Sequence, residues 1–129
     1  MLVLAAYAPE LAGLRQRLGE RLHATIGELQ VVAKTVGIGM AVAGAGTATR
    51  LSLFPPRAVV LLGSCGAYPS GGPPPLLRTV IPGGSRLIDP AVRAGSAAFP
   101  DPMDTVTDCH PGLRAGIAQA TGNDLANPV

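Results

Sequence analysis

Aromatic residues are almost missing from this chain: two Tyr, two Phe and no Trp in 129 residues. A core must therefore be built from Ala, Val, Leu and Ile, which suits helices packed on a sheet. Charge is sparse too, at 14% of residues. Nine Arg and one Lys, Lys34, are scattered along the chain, with no basic patch interleaved with aromatics. That removes the usual footprint of nucleic-acid binding, and no nucleic acid is expected as a partner. The only cysteines, Cys65 and Cys109, form no C-x-x-C pair, and His23 and His110 are not spaced as zinc ligands to them. No metal is expected, and reduced thiols point to a cytoplasmic location. The apolar start of the chain has no basic leader and meets Pro9-Glu10 at once. It is too short for a signal peptide or a membrane span, so no membrane partner is expected.

What is present is a run of apolar segments separated by Gly and Pro. The length suits one small domain over residues 1–129. Residues 2–7 read as a first strand. Pro9 then suits a first helical turn, with Glu10 favourably near its N-terminus. Leu11, Leu14, Leu18 and Leu22 recur at spacings of three and four, which predicts an amphipathic helix over residues 9–23. On this reading His23 ends that helix. Residues 29–36 read as a second strand, and Gly37-Ile38-Gly39 leads into a small-residue helix over residues 40–54. Residues 58–62 read as a buried third strand. Residues 68–75 form a Pro/Gly/Ser loop. Short strands are expected over residues 76–81 and 85–88, a loop over residues 99–104, a last helix over residues 109–121 with Asp108 as its cap and Pro111 in its first turn, and a closing loop over residues 123–129.

The stretch with most chemistry is Ala58-Val-Val-Leu-Leu-Gly-Ser-Cys-Gly-Ala67. An apolar strand ends there in residues that let the backbone approach a ligand, because Gly63 and Gly66 carry no Cβ. Ligands in open α/β sheets sit just beyond the carboxyl ends of strands. Cys65 reads as a small buried residue rather than a nucleophile, and Tyr7 as strand-end packing or a base-stacking ring. Glu10 reads from its position as a helix-start carboxylate.

The string Gly63-Ser64-Cys65-Gly66-Ala67, together with strand-Gly37-Ile38-Gly39 upstream, resembles the nucleoside phosphorylase and nucleosidase superfamily. Residues 2–10 resemble the first strand and turn of methylthioadenosine/S-adenosylhomocysteine nucleosidases, with Glu10 on their N-terminal glutamate. The resemblance covers nearly the whole chain but only the N-terminal half or so of a family domain. It implies a three-layer α/β fold, a phosphorylase-like sheet with flanking helices, incomplete at the C-terminus. It implies N-glycosidic bond cleavage in a purine nucleoside or analogue, with Glu10 as catalytic base and no cofactor. Ser64, Cys65, Gly66, Gly39 and Tyr7 would contact the nucleoside. Leu61 stands where phosphorylases carry a phosphate-gripping arginine, which favours hydrolysis.

Nothing in the sequence matches the family's ribose clamp and its aspartate acid, which lie further on. A chain with no turnover of its own, a binding or structural remnant, is therefore the rival reading. Exposed edges would then favour a homo-oligomer. A third reading takes Gly37-x-Gly39-x-x-x-x-Gly44 as a dinucleotide loop. It is disfavoured because the next strand ends in Gly63-Ser64 rather than in Asp or Glu.

Overall fold

A computed structural model describes residues 1–66 and 79–122. Its contacts group into two units, Met1–Tyr68 and Pro69–Val129. The readings for residues 68–75, 76–78 and 123–129, and Ala67 of the turn, lie outside the described residues.

In the first unit, β1 (Leu2–Ala5), β2 (His23–Ile26), β3 (Leu29–Thr35) and β4 (Val59–Leu61) form one sheet in the order β2-β3-β1-β4. β1 is parallel to both β3 and β4, and β2 is antiparallel to β3. Between β1 and β2 lie a four-residue 3-10 turn, Ala8–Leu11, and α1 (Ala12–Leu18). α2 (Met40–Leu53) joins β3 to β4. This is a mixed α/β architecture with a central sheet flanked by helices.

β1 is buried along its whole length because it has a strand on each side and a helix on each face. Alternate side chains of a strand point to opposite faces. Val3 and Ala5 pack with Leu11, Leu18, Val31 and Ala33 on the α1 side. Leu2 and Leu4 pack with Val36, Val32 and Ala43 of α2 on the other. Each fully buried leucine contributes about 1.5–3 kcal/mol of transfer free energy. The small residues of α2 let it lie close to the sheet. A Cβ on Gly46 would strike the carbonyl oxygen of Val36.

Several expectations are corrected. The periodic segment over residues 9–23 is not one helix. Its start is the 3-10 turn, α1 stops at Leu18, and Gly19 (φ +73°) caps it with a backbone bond to Arg15. The chain then returns as β2, so His23 sits in a strand. The hairpin turns at Gly27 (φ +60°), pairing Ile26 with Leu29. The leucine spacing is real, but Leu22 serves the α1-side cluster from the loop after the helix. β4 is not a buried strand either. It pairs only with β1 among the described residues, and Leu61 is 76% exposed. An unbroken apolar run does not tell an edge strand from a central one.

In the second unit, β5 (Gly84–Arg86) and β6 (Val106–Asp108) form an antiparallel pair. The short α3 (Pro90–Arg93) starts at Asp89, whose Oδ1 accepts from the amides of Ala91 and Val92 at 2.7 and 3.2 Å. α4 (Pro111–Thr121) has Pro111 at its start as expected. Its cap is His110 rather than Asp108: Nδ1 of His110 accepts from the Leu113 amide at 3.4 Å, while Asp108 belongs to β6. Residues 85–88 are strand only as far as Arg86, and Thr79 and Val80 precede an isolated bridge at Ile81. β6 and α3 had no counterpart in the sequence reading. Both are too short to show a period.

Candidate functional site

The parallel register aligns the carboxyl ends of three strands. Ala5 lies opposite Thr35 of β3, and Leu4 lies opposite Leu61 of β4. Backbone bonds carry the alignment past the strand ends, from Val36 to Ala5 at 2.9 Å, from Gly37 to Ala6 at 3.1 Å and from Leu62 to Leu4 at 2.8 Å. The segments holding Gly39, Tyr7–Glu10 and Ser64–Gly66 therefore leave the same edge of the sheet. From β1 the chain moves to one side to make β3, then crosses to the other side to make β4. That reversal lies between β1 and β4, where ligands of open α/β sheets bind.

A carboxylate bridges this point. Glu10 Oε1 accepts from the amide and the hydroxyl of Ser64, at 2.8 and 3.0 Å. Its Oε2 accepts from the amides of Ala6 and Tyr7, at 3.0 and 3.4 Å. The Glu10 amide in turn donates to the Tyr7 carbonyl at 3.2 Å, closing the 3-10 turn on itself. Glu at the third position of a helical turn, reaching back to the residue before it, is the acidic half of a capping box. The amide of Ser64 does most to hold the Glu10 carboxyl below the usual glutamate range. Desolvation pushes the other way, and the Ser64 hydroxyl and the Tyr7 and Ala6 amides add to the lowering. Hydrogen bonds to the charged form favour it. Among the described residues no cation pairs with Glu10, and the ion pair there joins Arg15 to Glu20 at 3.6 Å.

Of the residues expected at a site, Glu10 and Ser64 are in direct contact and Tyr7 is tied to Glu10 through its amide. Tyr7 is 43% exposed and belongs to neither core cluster. Cys65 is exposed, which corrects the reading of a buried thiol. Gly66 is exposed, and a Cβ there would meet nothing within 4 Å. Gly39 starts α2 at φ +86°, a backbone conformation that other residues rarely adopt. Gly39 and the Ser64–Gly66 turn leave the sheet on opposite sides of β1, and no bond links them among the described residues. The sequence reading missed the Ala6 and Tyr7 amides as partners of Glu10. The three-residue spacing from Tyr7 to Glu10 was the available signal.

A concavity of about 250 Å³ in this unit lies away from Glu10, at the amino ends of the strands, against Met1, Gln30, Phe54 and Pro55. Geometry at Glu10 is the better guide to chemistry, because that concavity brings no carboxylate, thiol or imidazole together. No group of three or more His, Cys, Asp or Glu able to hold a metal ion occurs among the described residues. No helix among them is long and apolar enough to cross a membrane.

No protein-family model and no curated protein matches the chain. Solved structures do. A Helicobacter pylori MTAN variant with 5′-methylthioadenosine in its active site aligns with a TM-score of 0.71 at 13% identity, over 99% of this chain and 62% of that one. A 5′-methylthioadenosine/S-adenosylhomocysteine nucleosidase from Neisseria meningitidis, in complex with methylthio-immucillin-A, aligns at 0.69 and 22%, over 98% and 60%. A futalosine hydrolase variant of Helicobacter pylori aligns at 0.67 and 12%, over 98% and 64%. At these identities the likeness shows the fold: this chain has the nucleosidase fold over about three-fifths of the length of those proteins.

Proposed function

We propose that the chain belongs to the nucleoside phosphorylase and nucleosidase superfamily and carries the water-activating side of a nucleosidase site. The reaction is hydrolysis of the N-glycosidic bond of a purine nucleoside or a close analogue. The observation that carries this reading is the Glu10 carboxylate, bound to Ser64 across the switch point between β1 and β4. Glycosidic bond cleavage passes through a cation-like sugar. A carboxylate at the sugar stabilises that charge and takes a proton from the attacking water. A carboxyl held below the usual range is ionised at neutral pH, as this role requires. The Ser64 hydroxyl and the amides of Cys65 and Gly66 are the ligand donors on the β4 side. Tyr7 offers a ring at the exposed end of β1, and Gly39 lines the β3 side. Leu61, at the end of β4, offers phosphate no cation, which supports water over phosphate as nucleophile. The exposed β4 edge supports self-association of the chain.

The test has two parts. Titrating the chain with methylthio-immucillin-A, followed by amide NMR, is expected to shift Tyr7, Glu10 and residues 64–66. Shifts confined to other residues would remove this site from the reading. Adenine release from 5′-methylthioadenosine is expected to be negligible for these 129 residues alone, because no residue matches the family's acid and ribose clamp. Robust release that disappears in Glu10→Gln would place the whole reaction in this chain.

A further inference from the structure

A carboxylate has about four lone-pair sites. Those of Glu10 meet four donors: the amides of Ser64, Ala6 and Tyr7, and the Ser64 hydroxyl. The three amides are held by the backbone, two at the end of β1 and one in the turn after β4. The hydroxyl is different, because it leaves by rotation about single bonds. It is also the side-chain group that reaches Glu10 from a segment 54 residues away.

We propose that Ser64 is a positioning residue for Glu10. Its hydroxyl fills the acceptor site that the backbone leaves open, and it fixes the plane of the carboxylate between the β1 and β4 loops in the resting chain. This rests on the reading of Glu10 as the base. A nucleophile then reaches Glu10 by displacing that hydroxyl, which becomes free to donate to the incoming water or sugar. A serine that served only as a ligand contact would leave the empty site's Glu10 unaffected.

The experiment reads the carboxyl directly and needs no turnover. The Glu10 side-chain carboxyl is followed by carbon-13 NMR as a function of pH in the intact chain, in Ser64→Ala and in Ser64→Thr. The Ala variant removes the hydroxyl and keeps the Ser64 amide bond. Its Glu10 midpoint is expected to move up, toward that of an ordinary glutamate, since a donor to the charged form is lost. Thr restores a hydroxyl, and its midpoint is expected to return toward that of the parent. Amide spectra of each variant report whether the sheet edge is intact. An unchanged or lowered midpoint in Ser64→Ala overturns the proposal, and so does an equal rise in both variants. Failure of the site reading itself shows separately, as amide shifts on adding methylthio-immucillin-A that are confined to residues other than Tyr7, Glu10 and 64–66.

Discussion

The two units differ in how they are held together. Of the buried apolar residues among those described, Leu2, Val3, Leu4, Ala5, Leu11, Leu18, Val31, Ala33 and Val36 belong to the first unit, and Ile81 and Ala118 to the second. The first unit has a strand enclosed on four sides, with a cluster on each face. The second relies on a short antiparallel pair, two proline-started helices and their caps. Among the described residues, apolar burial therefore carries the first unit, while local hydrogen bonding carries more of the second. The candidate site grows out of the well-buried unit, so its geometry is set by register rather than by loop chemistry.

The largest effect expected from that asymmetry is at Leu11, which ends the 3-10 turn and is fully buried in the α1-side cluster. Leu11→Ala is expected to cost about 2–5 kcal/mol in urea unfolding. Val92→Ala, half-buried in the second unit, is expected to cost less than about 1 kcal/mol. Similar losses at both positions would erase the distinction.

Two helical glycines sharpen the same comparison with opposite signs. Gly46→Ala pushes a methyl group against the Val36 backbone, so α2 has to shift. A loss of about 1–3 kcal/mol is expected. Gly116 in α4 faces open space, and Gly116→Ala is expected to stabilise by about 0.5–1 kcal/mol through helix propensity. Melting temperatures of the two variants should move in opposite directions.

The smallest effect is electrostatic. The folded carboxyl of Glu10 titrates below that of the unfolded chain, which lies near about 4.3. Its stabilisation is complete above the unfolded value and is lost as pH falls through the unfolded value and then the folded one. Urea midpoints of the parent chain should drop more steeply than those of Glu10→Gln as the pH is lowered through that window. Parallel curves would mean that the four hydrogen bonds do not favour the ionised form.

Much of the first unit was legible along the chain. β1, β3 and α2 are long enough for apolar runs and glycine boundaries to mark them. β2 was not legible, because His23-Ala-Thr-Ile26 follows a leucine spacing that continues the helical pattern. What overrides it is Gly19 at φ +73°, which ends α1, and pairing with β3. The exposure of β4 was hidden for another reason: a strand's own residues do not say how many neighbours it has. At α4, Asp108 and His110 are both competent caps. The pairing of β6 with β5 takes Asp108 away and leaves the task to His110.

Residue types and local spacing alone determined that the core is aliphatic and that α2 is a small-residue helix fit for close packing, while the family resemblance of two short strings singled out Glu10 and Ser64 at separate strand ends. Only the tertiary structure decided that these two meet. They lie 54 positions apart, and their contact depends on β4 pairing with β1 in a register that sets Leu61 beside Leu4. A slip of one residue would turn the strand over and carry Ser64 away from the carboxylate. Register is a property of two strands together, and neither strand contains it.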